Sequence, residues 1–177
     1  MAVLTRLEIE SALTRLGALA LQNNTPIELI VVGGAAMVLV FQARQSTHDV
    51  DVLIVKPTTA QIARELASQV ADEHGLHVDW LNDGAKGYLH GFNDGGVAFS
   101  APGIVVRHPA IEQLLAMKLS AWRDDVDIAD ARRLLYELIQ IEPDHNRIWQ
   151  RVEPYLIPGD ELKGQYAFED LWEALHG

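Results

Sequence analysis

Two aspartates in D-x-D spacing, Asp49 and Asp51, are the residues best placed to do chemistry in this 177-residue chain. Positions 49–55 alternate, with Asp49, Asp51, Leu53 and Val55 on one face and Val50, Val52 and Ile54 on the other, which predicts a strand. Residues two apart on a strand share a face, with Cα atoms roughly 7 Å apart, so both carboxylates can converge on one or two cations. Hard oxygen donors of this kind suit Mg²⁺ (or Mn²⁺), which keeps water and substrate phosphate as its other partners. The alternative is a solvent-facing sheet edge with no ligand. Against it stand the depletion of Asp in strands and the repulsion between like charges on one face. Leu53 and Val55 predict that the same face is covered further along.

A second feature lies just upstream. Gly33 and Gly34 end a β-branched run over residues 27–32 and precede a helix predicted over residues 35–41. Glycines there let the backbone approach a phosphate at a helix N-terminus, where N–H groups and the dipole favour an anion. Otherwise the pair makes a tight strand-to-helix turn with no ligand. It fits neither G-x-G-x-x-G nor a Walker loop, which disfavours dinucleotide and P-loop binding. Residues 76–81 predict a further strand with His77, Asp79 and Leu81 on one face, making Asp79 the candidate third carboxylate; the alternative is a polar residue on an exposed face. Arg44 and Thr47, on the approach to Asp49, either touch phosphate or belong to a solvated loop.

Lys118 is the one charged member of an otherwise apolar helical stripe, Ile111, Leu114, Leu115, Leu119 and Trp122. Lysine is rarely buried without a partner, so it either snorkels to the rim or meets an anion, a triphosphate or an acidic cluster. Asp124, Asp125, Asp127 and Asp130 resemble a metal cluster, but their place at a predicted helix start makes dipole complementation the competing reading. The histidines show no H-x-H or H-x-x-x-H spacing, so zinc chemistry is not supported.

The elements that must position these residues follow from periodicity. Thr5 and Glu8 have capping-box spacing ahead of a helix carrying Ile9, Leu13, Leu16, Leu19 and Ala20 on one face and ending near Asn23 and Asn24. A helix is predicted over residues 59–72, then loop around a short element over residues 82–96, where five of the 13 glycines fall. A strand over residues 103–107 follows, then helices from Pro109, from Asp124 to about Gln140, and over residues 144–154 and 165–176.

Composition narrows the class. Hydrophobic content of 49% fills a core for one compact domain with a helical extension, and zero cysteines exclude disulfides, thiolate zinc sites and a cysteine nucleophile. No apolar stretch approaches membrane-spanning length and no leader pattern opens the chain, so the cytoplasm is the expected compartment. The net charge of −11 is concentrated after residue 120, where 13 acidic side chains outnumber 6 basic ones, which disfavours nonspecific binding of long nucleic acid.

The segment VVGGAAMVLVFQARQSTHDVDVLIV resembles the signature of the DNA polymerase beta-like nucleotidyltransferase superfamily: a Gly-Gly or Gly-Ser turn, a short helix, then D-x-D on a strand. HVDWLND and EQLLAMKLSAW extend the resemblance over residues 27–135. Within the superfamily the chain looks closest to small bacterial proteins related to the toxins of abortive-infection and toxin-antitoxin modules. The resemblance implies an α/β fold with a mixed sheet flanked by helices, a catalytic core over residues 1–108, and a helical part over residues 109–177 forming the opposite wall of a cleft. It implies Gly33 and Gly34 at the triphosphate, Asp49 and Asp51 as ligands to both metals, Asp79 as third carboxylate and proton acceptor, and Lys118 on phosphate. Asp127 and Asp130 match acids of the family that support the site from behind. Ala35 departs from the pattern where many relatives carry Ser, removing a hydroxyl contact to phosphate.

The implied reaction is attack of an acceptor hydroxyl of RNA, protein or a small molecule on the α-phosphate of a nucleoside triphosphate, with two metals about 3.5–4 Å apart at the attacking and leaving oxygens. The implied partner is a cognate antitoxin or toxin. The competing reading is a degenerate relative that binds nucleotide or a partner without turnover.

Overall fold

The structure is a computed structural model that describes residues 2–177. In chain order its elements are β1 (Leu4–Thr5), α1 (Arg6–Gln22), β2 (Ile27–Val32), α2 (Gly33–Leu39), β3 (Ser46–Thr47), β4 (Val50–Lys56), α3 (Ala60–His74), β5 (Leu81–Asn82), β6 (Asp94–Ala101) and β7 (Ile104–Pro109). Four helices follow: α4 (Ile111–Ala121), α5 (Asp125–Ile141), α6 (His145–Val152) and α7 (Glu161–His176). Two compact units divide the chain, one of Met1–Lys86 with Gly95–His108, the other of Gly87–Asp94 with Pro109–Gly177. No helix among the described residues is long and apolar enough to cross a membrane.

The first unit is built on a five-stranded mixed sheet in the order β5-β4-β2-β7-β6. β2 lies at its centre because Ile27 and Leu29 to Val32 are all buried, as a run rich in β-branched residues requires. It pairs antiparallel with β4 and parallel with β7, while β4 pairs parallel with the two-residue β5. α1 begins where the sequence predicts: Thr5 accepts from the Glu8 backbone N–H, and the Glu8 carboxylate accepts from the Thr5 N–H at 2.8 Å, a closed capping box. Its face of Ile9, Ala12, Leu13, Leu16 and Ala20 is fully buried.

Three expectations need correction. Residues 76–80 are not strand: Trp80 N–H closes a turn onto His77 O at 3.0 Å, the Asp79 N–H donates to His77 Nδ1, and Trp80 Nε1 anchors the turn by donating to Ala67 O at 2.9 Å. Strand therefore begins only at Leu81. Residues 94–101, of which the glycine content predicts loop as far as residue 96, form β6, paired with β7 through the turn at Pro102 and Gly103. Val55 is 42% exposed, so the cover predicted over the Asp51 face stops short of it.

In the second unit α4 is enclosed by α5, α6 and α7, and residues 113–120 are buried without a break. A helix hydrophobic nearly all round belongs in a core. The segment Gly87–Asp94 joins this unit through buried Gln113, which accepts from the Asn93 N–H at 2.8 Å and donates to Gly91 O at 2.9 Å.

Candidate functional site

The β2–β4 register brings the glycine turn and Asp51 together. Val32, the last residue of β2, stands opposite Asp51, so the chain leaving β2 turns directly over the Asp51 side chain. Gly33 occupies the turn at φ +62, a left-handed conformation costly for residues with a Cβ, and a Cβ there would lie 3.1 Å from Asp51 Oδ2. α2 starts at Gly33, two residues earlier than the helix predicted from Ala35.

Gly34 serves a different need, close approach. A Cβ on it would lie 2.6 Å from Thr47 Oγ1 and 2.9 Å from Arg44 Nη1. Thr47 is held there by backbone pairing of β3 with β1, Thr47 opposite Leu4, and is 7% exposed. Four of the predicted residues, Gly33, Gly34, Arg44 and Thr47, thus surround one strand-to-helix turn, with Asp51 beneath it.

Asp49 sits one residue before β4 rather than in it. Its Oδ2 accepts from Asn82 Nδ2 at 3.0 Å, and Asn82 stands opposite Asp51 in the β4–β5 register. The Asn82 Oδ1 in turn accepts from the Gly84 N–H at 3.0 Å. Sequence reasoning missed Asn82, because its place depends on a two-residue strand pairing that no local pattern reveals.

Asp79 does not join this group. Its side chain is 78% exposed and reaches His77 Nδ1 at 4.0 Å; the backbone carbonyl, not the carboxylate, faces Asn82. The residue lines a cavity of about 250 Å³ with Val52, Ile54, Arg64, Asn82 and Asp83. Within it, burial raises the Asp83 pKa, but bonds from Lys86 and Arg64 outweigh that and hold it below the ordinary value. Among the described residues, no three His, Asp or Glu side chains gather closely enough to hold a metal ion by themselves.

Lys118 lies in the second unit, 10% exposed, with Nζ 2.9 Å from Asp127 Oδ1 and 2.7 Å from Asp130 Oδ2. Of the anions the helical stripe left open, the structure supplies the acidic cluster. Asp127 also accepts from Arg123 Nε at 3.0 Å. Asp124 caps α5 by accepting from the backbone of Val126 and Asp127, the helix-start role that its position predicts.

No curated protein and no solved structure matches the chain. The family profile described as a nucleotidyltransferase of unknown function (DUF6036) matches residues 11–153, spanning the glycine turn, the acid pair and the Lys118 cluster. That match covers most of the sequence, and the chain belongs to this nucleotidyltransferase family.

Proposed function

We propose that the protein is an active nucleotidyltransferase that moves a nucleoside monophosphate from an NTP to an acceptor hydroxyl, using the turn at Gly33 and Gly34 and the carboxylates of Asp49 and Asp51. The observation that carries this reading is the β2–β4 register, which sets Asp51 directly beneath the left-handed Gly33. Half-buried backbone at a glycine turn and the Arg44 guanidinium beside it are suited to an anionic phosphate chain. Two carboxylates, rather than a closed cage, fit Mg²⁺ or Mn²⁺, which is ordinarily held by one or two carboxylates with substrate phosphate and water completing its shell. Bound there by Asp49 and Asp51, the metal would neutralise charge developing on the phosphoryl oxygens. The chain's own contribution is to orient each carboxylate, Asp49 through the bond from Asn82 and Asp51 through its strand register beneath the turn.

The acceptor class is an RNA, protein or small-molecule hydroxyl, and a role as the toxin-like half of a toxin-antitoxin pair follows from the resemblance alone. Incubation with radiolabelled NTPs and Mg²⁺ against total RNA, free tRNA, the protein itself and hydroxylated small molecules tests the activity. Asp49→Asn with Asp51→Asn is expected to abolish transfer while leaving metal-free melting unchanged or higher, because repulsion between the carboxylates is relieved. Nucleotide binding with no product on any acceptor would identify a non-catalytic relative instead, and a large loss of stability in the double variant would make the pair structural.

A further inference from the structure

We propose that Asn82 is the positioning residue of the acid pair and that its neutral amide makes the site take a divalent ion together with the nucleotide rather than as the free ion. The inference rests on the functional reading above. The orientation of the amide is chemically unambiguous. Asp49 Oδ2, 3.0 Å away, is a carboxylate oxygen that needs a donor, and the Gly84 backbone N–H, 3.0 Å from the other end, needs an acceptor. Nδ2 therefore faces Asp49, with the Asp79 backbone carbonyl 3.4 Å away, and Oδ1 is engaged by Gly84.

Two consequences follow. An N–H donor cannot ligate a cation, so the Asn82 nitrogen on Asp49 contributes no ligand, and the neutral amide opposite Asp51 contributes no charge. The same donor occupies one oxygen of Asp49 and so fixes the direction in which the other points. What remains for a metal is a pair of carboxylates with part of their coordinating capacity already used, too few donors for a hard divalent ion that demands six oxygens, unless phosphate oxygens arrive with it. Gly84 belongs to the device: a Cβ there would lie 3.0 Å from Asn82 Oδ1 and 3.9 Å from Asp51 Oδ1, so this turn runs close against both side chains.

Mn²⁺ binding followed by electron paramagnetic resonance, with and without a non-hydrolysable NTP, tests the proposal without reference to turnover. The wild-type chain is expected to bind Mn²⁺ with the nucleotide on the order of tenfold or more tighter than Mn²⁺ alone. Asn82→Asp, which converts the donor into a carboxylate, should raise affinity for free Mn²⁺ on the order of tenfold. Asn82→Ala, which releases Asp49 without adding charge, should weaken Mn²⁺–nucleotide binding roughly 10- to 100-fold and leave free Mn²⁺ binding as weak as in the wild type. If the added charge of Asn82→Asp destabilises the metal-free protein, a Mn²⁺-dependent rise in its melting temperature carries the same readout, and absence of that rise overturns the proposal. Wild-type affinity for free Mn²⁺ equal to that of Asn82→Asp overturns it as well, with the functional reading intact. Failure of the wild type to bind the Mn²⁺–nucleotide complex at all removes the functional reading and this inference together.

Discussion

Lys118 Nζ stands 2.9 Å from Asp127 Oδ1, an ion pair between α4 and α5 with side chains only 10% and 3% exposed. Asp130 approaches the same ammonium at 2.7 Å, so one cation serves two buried carboxylates. Lys118→Met keeps most of the aliphatic stem and deletes the charge, leaving those acids short of their shared partner. Breaking a buried pair from one side costs about 3–5 kcal/mol, and the remaining Arg123 contact to Asp127 places the expected loss near the lower figure. Urea unfolding of the two proteins measures it; a difference below about 1 kcal/mol would show that the cluster is not held by this lysine.

The same cluster sets an acid limit on stability. Burial by itself raises the Asp127 pKa, yet bonds from Arg123 and Lys118 outweigh it and bring the group down from 3.8 to about 2. A carboxyl whose folded value is depressed stabilises the fold at all pH above its unfolded value and loses that contribution as pH falls through the folded one. Stability should therefore decline between about pH 4 and pH 2, by about 2 kcal/mol from this group. Urea midpoints across that range, compared with Asp127→Asn, isolate the effect: the variant should start lower and show a shallower decline, and parallel curves would contradict the assignment.

What could be read from the sequence was local. The Thr5 and Glu8 capping box, the β2 run and the Asp124 helix start each lie within a few residues of chain, and all three appear in the structure. The misreadings have distant causes. The alternation at His77, Asp79 and Leu81 matches strand period, but the bond from buried Trp80 to Ala67 O in α3 fixes a turn there and leaves Asp79 in solvent. β6 carries Gly95, Gly96 and small residues in place of a β-branched pattern, and exists as strand because β7 pairs with it. Thr47 and Asn82 take their places through two-residue pairings with β1 and β4, contacts with no signature in composition or spacing. Arg44, Thr47 and the glycines could be nominated as neighbours of the acid pair, whereas which atoms meet required the register.

Close packing at Gly34 yields a third expectation. An alanine there would place its Cβ 2.6 Å from Thr47 Oγ1, and Thr47 cannot retreat easily because its backbone pairs with Leu4. The Arg44 guanidinium, 2.9 Å from the same point, ends a flexible side chain and is the group that moves. Gly34→Ala should cost about 1–3 kcal/mol, the usual range for overpacking, and weaken binding of a non-hydrolysable NTP. Adding Thr47→Ala should recover much of the stability by clearing the Oγ1 contact. Calorimetric titration and thermal melts of the single and double variants check this; no recovery in the double variant would place the clash elsewhere.

Gly33 separates backbone strain from side-chain contact, because it has both. At φ +62 an alanine carries a left-handed penalty of about 1–2 kcal/mol whatever surrounds it. Its Cβ would also stand 3.1 Å from Asp51 Oδ2, tight enough that the carboxylate must shift by a few tenths of an ångström. Asp51→Ala removes that contact and leaves the backbone penalty in place. In a double-mutant cycle, Gly33→Ala should therefore destabilise the Asp51→Ala protein less than the wild type, with a coupling on the order of 0.5–1 kcal/mol. The displaced carboxylate should also weaken Mn²⁺–nucleotide binding in Gly33→Ala alone. If the coupling is zero while the stability loss persists, strain accounts for the whole effect and Asp51 has room to spare. If Gly33→Ala matches the wild type in both stability and affinity, the turn does not lie over Asp51, and the geometry that carries the functional reading fails.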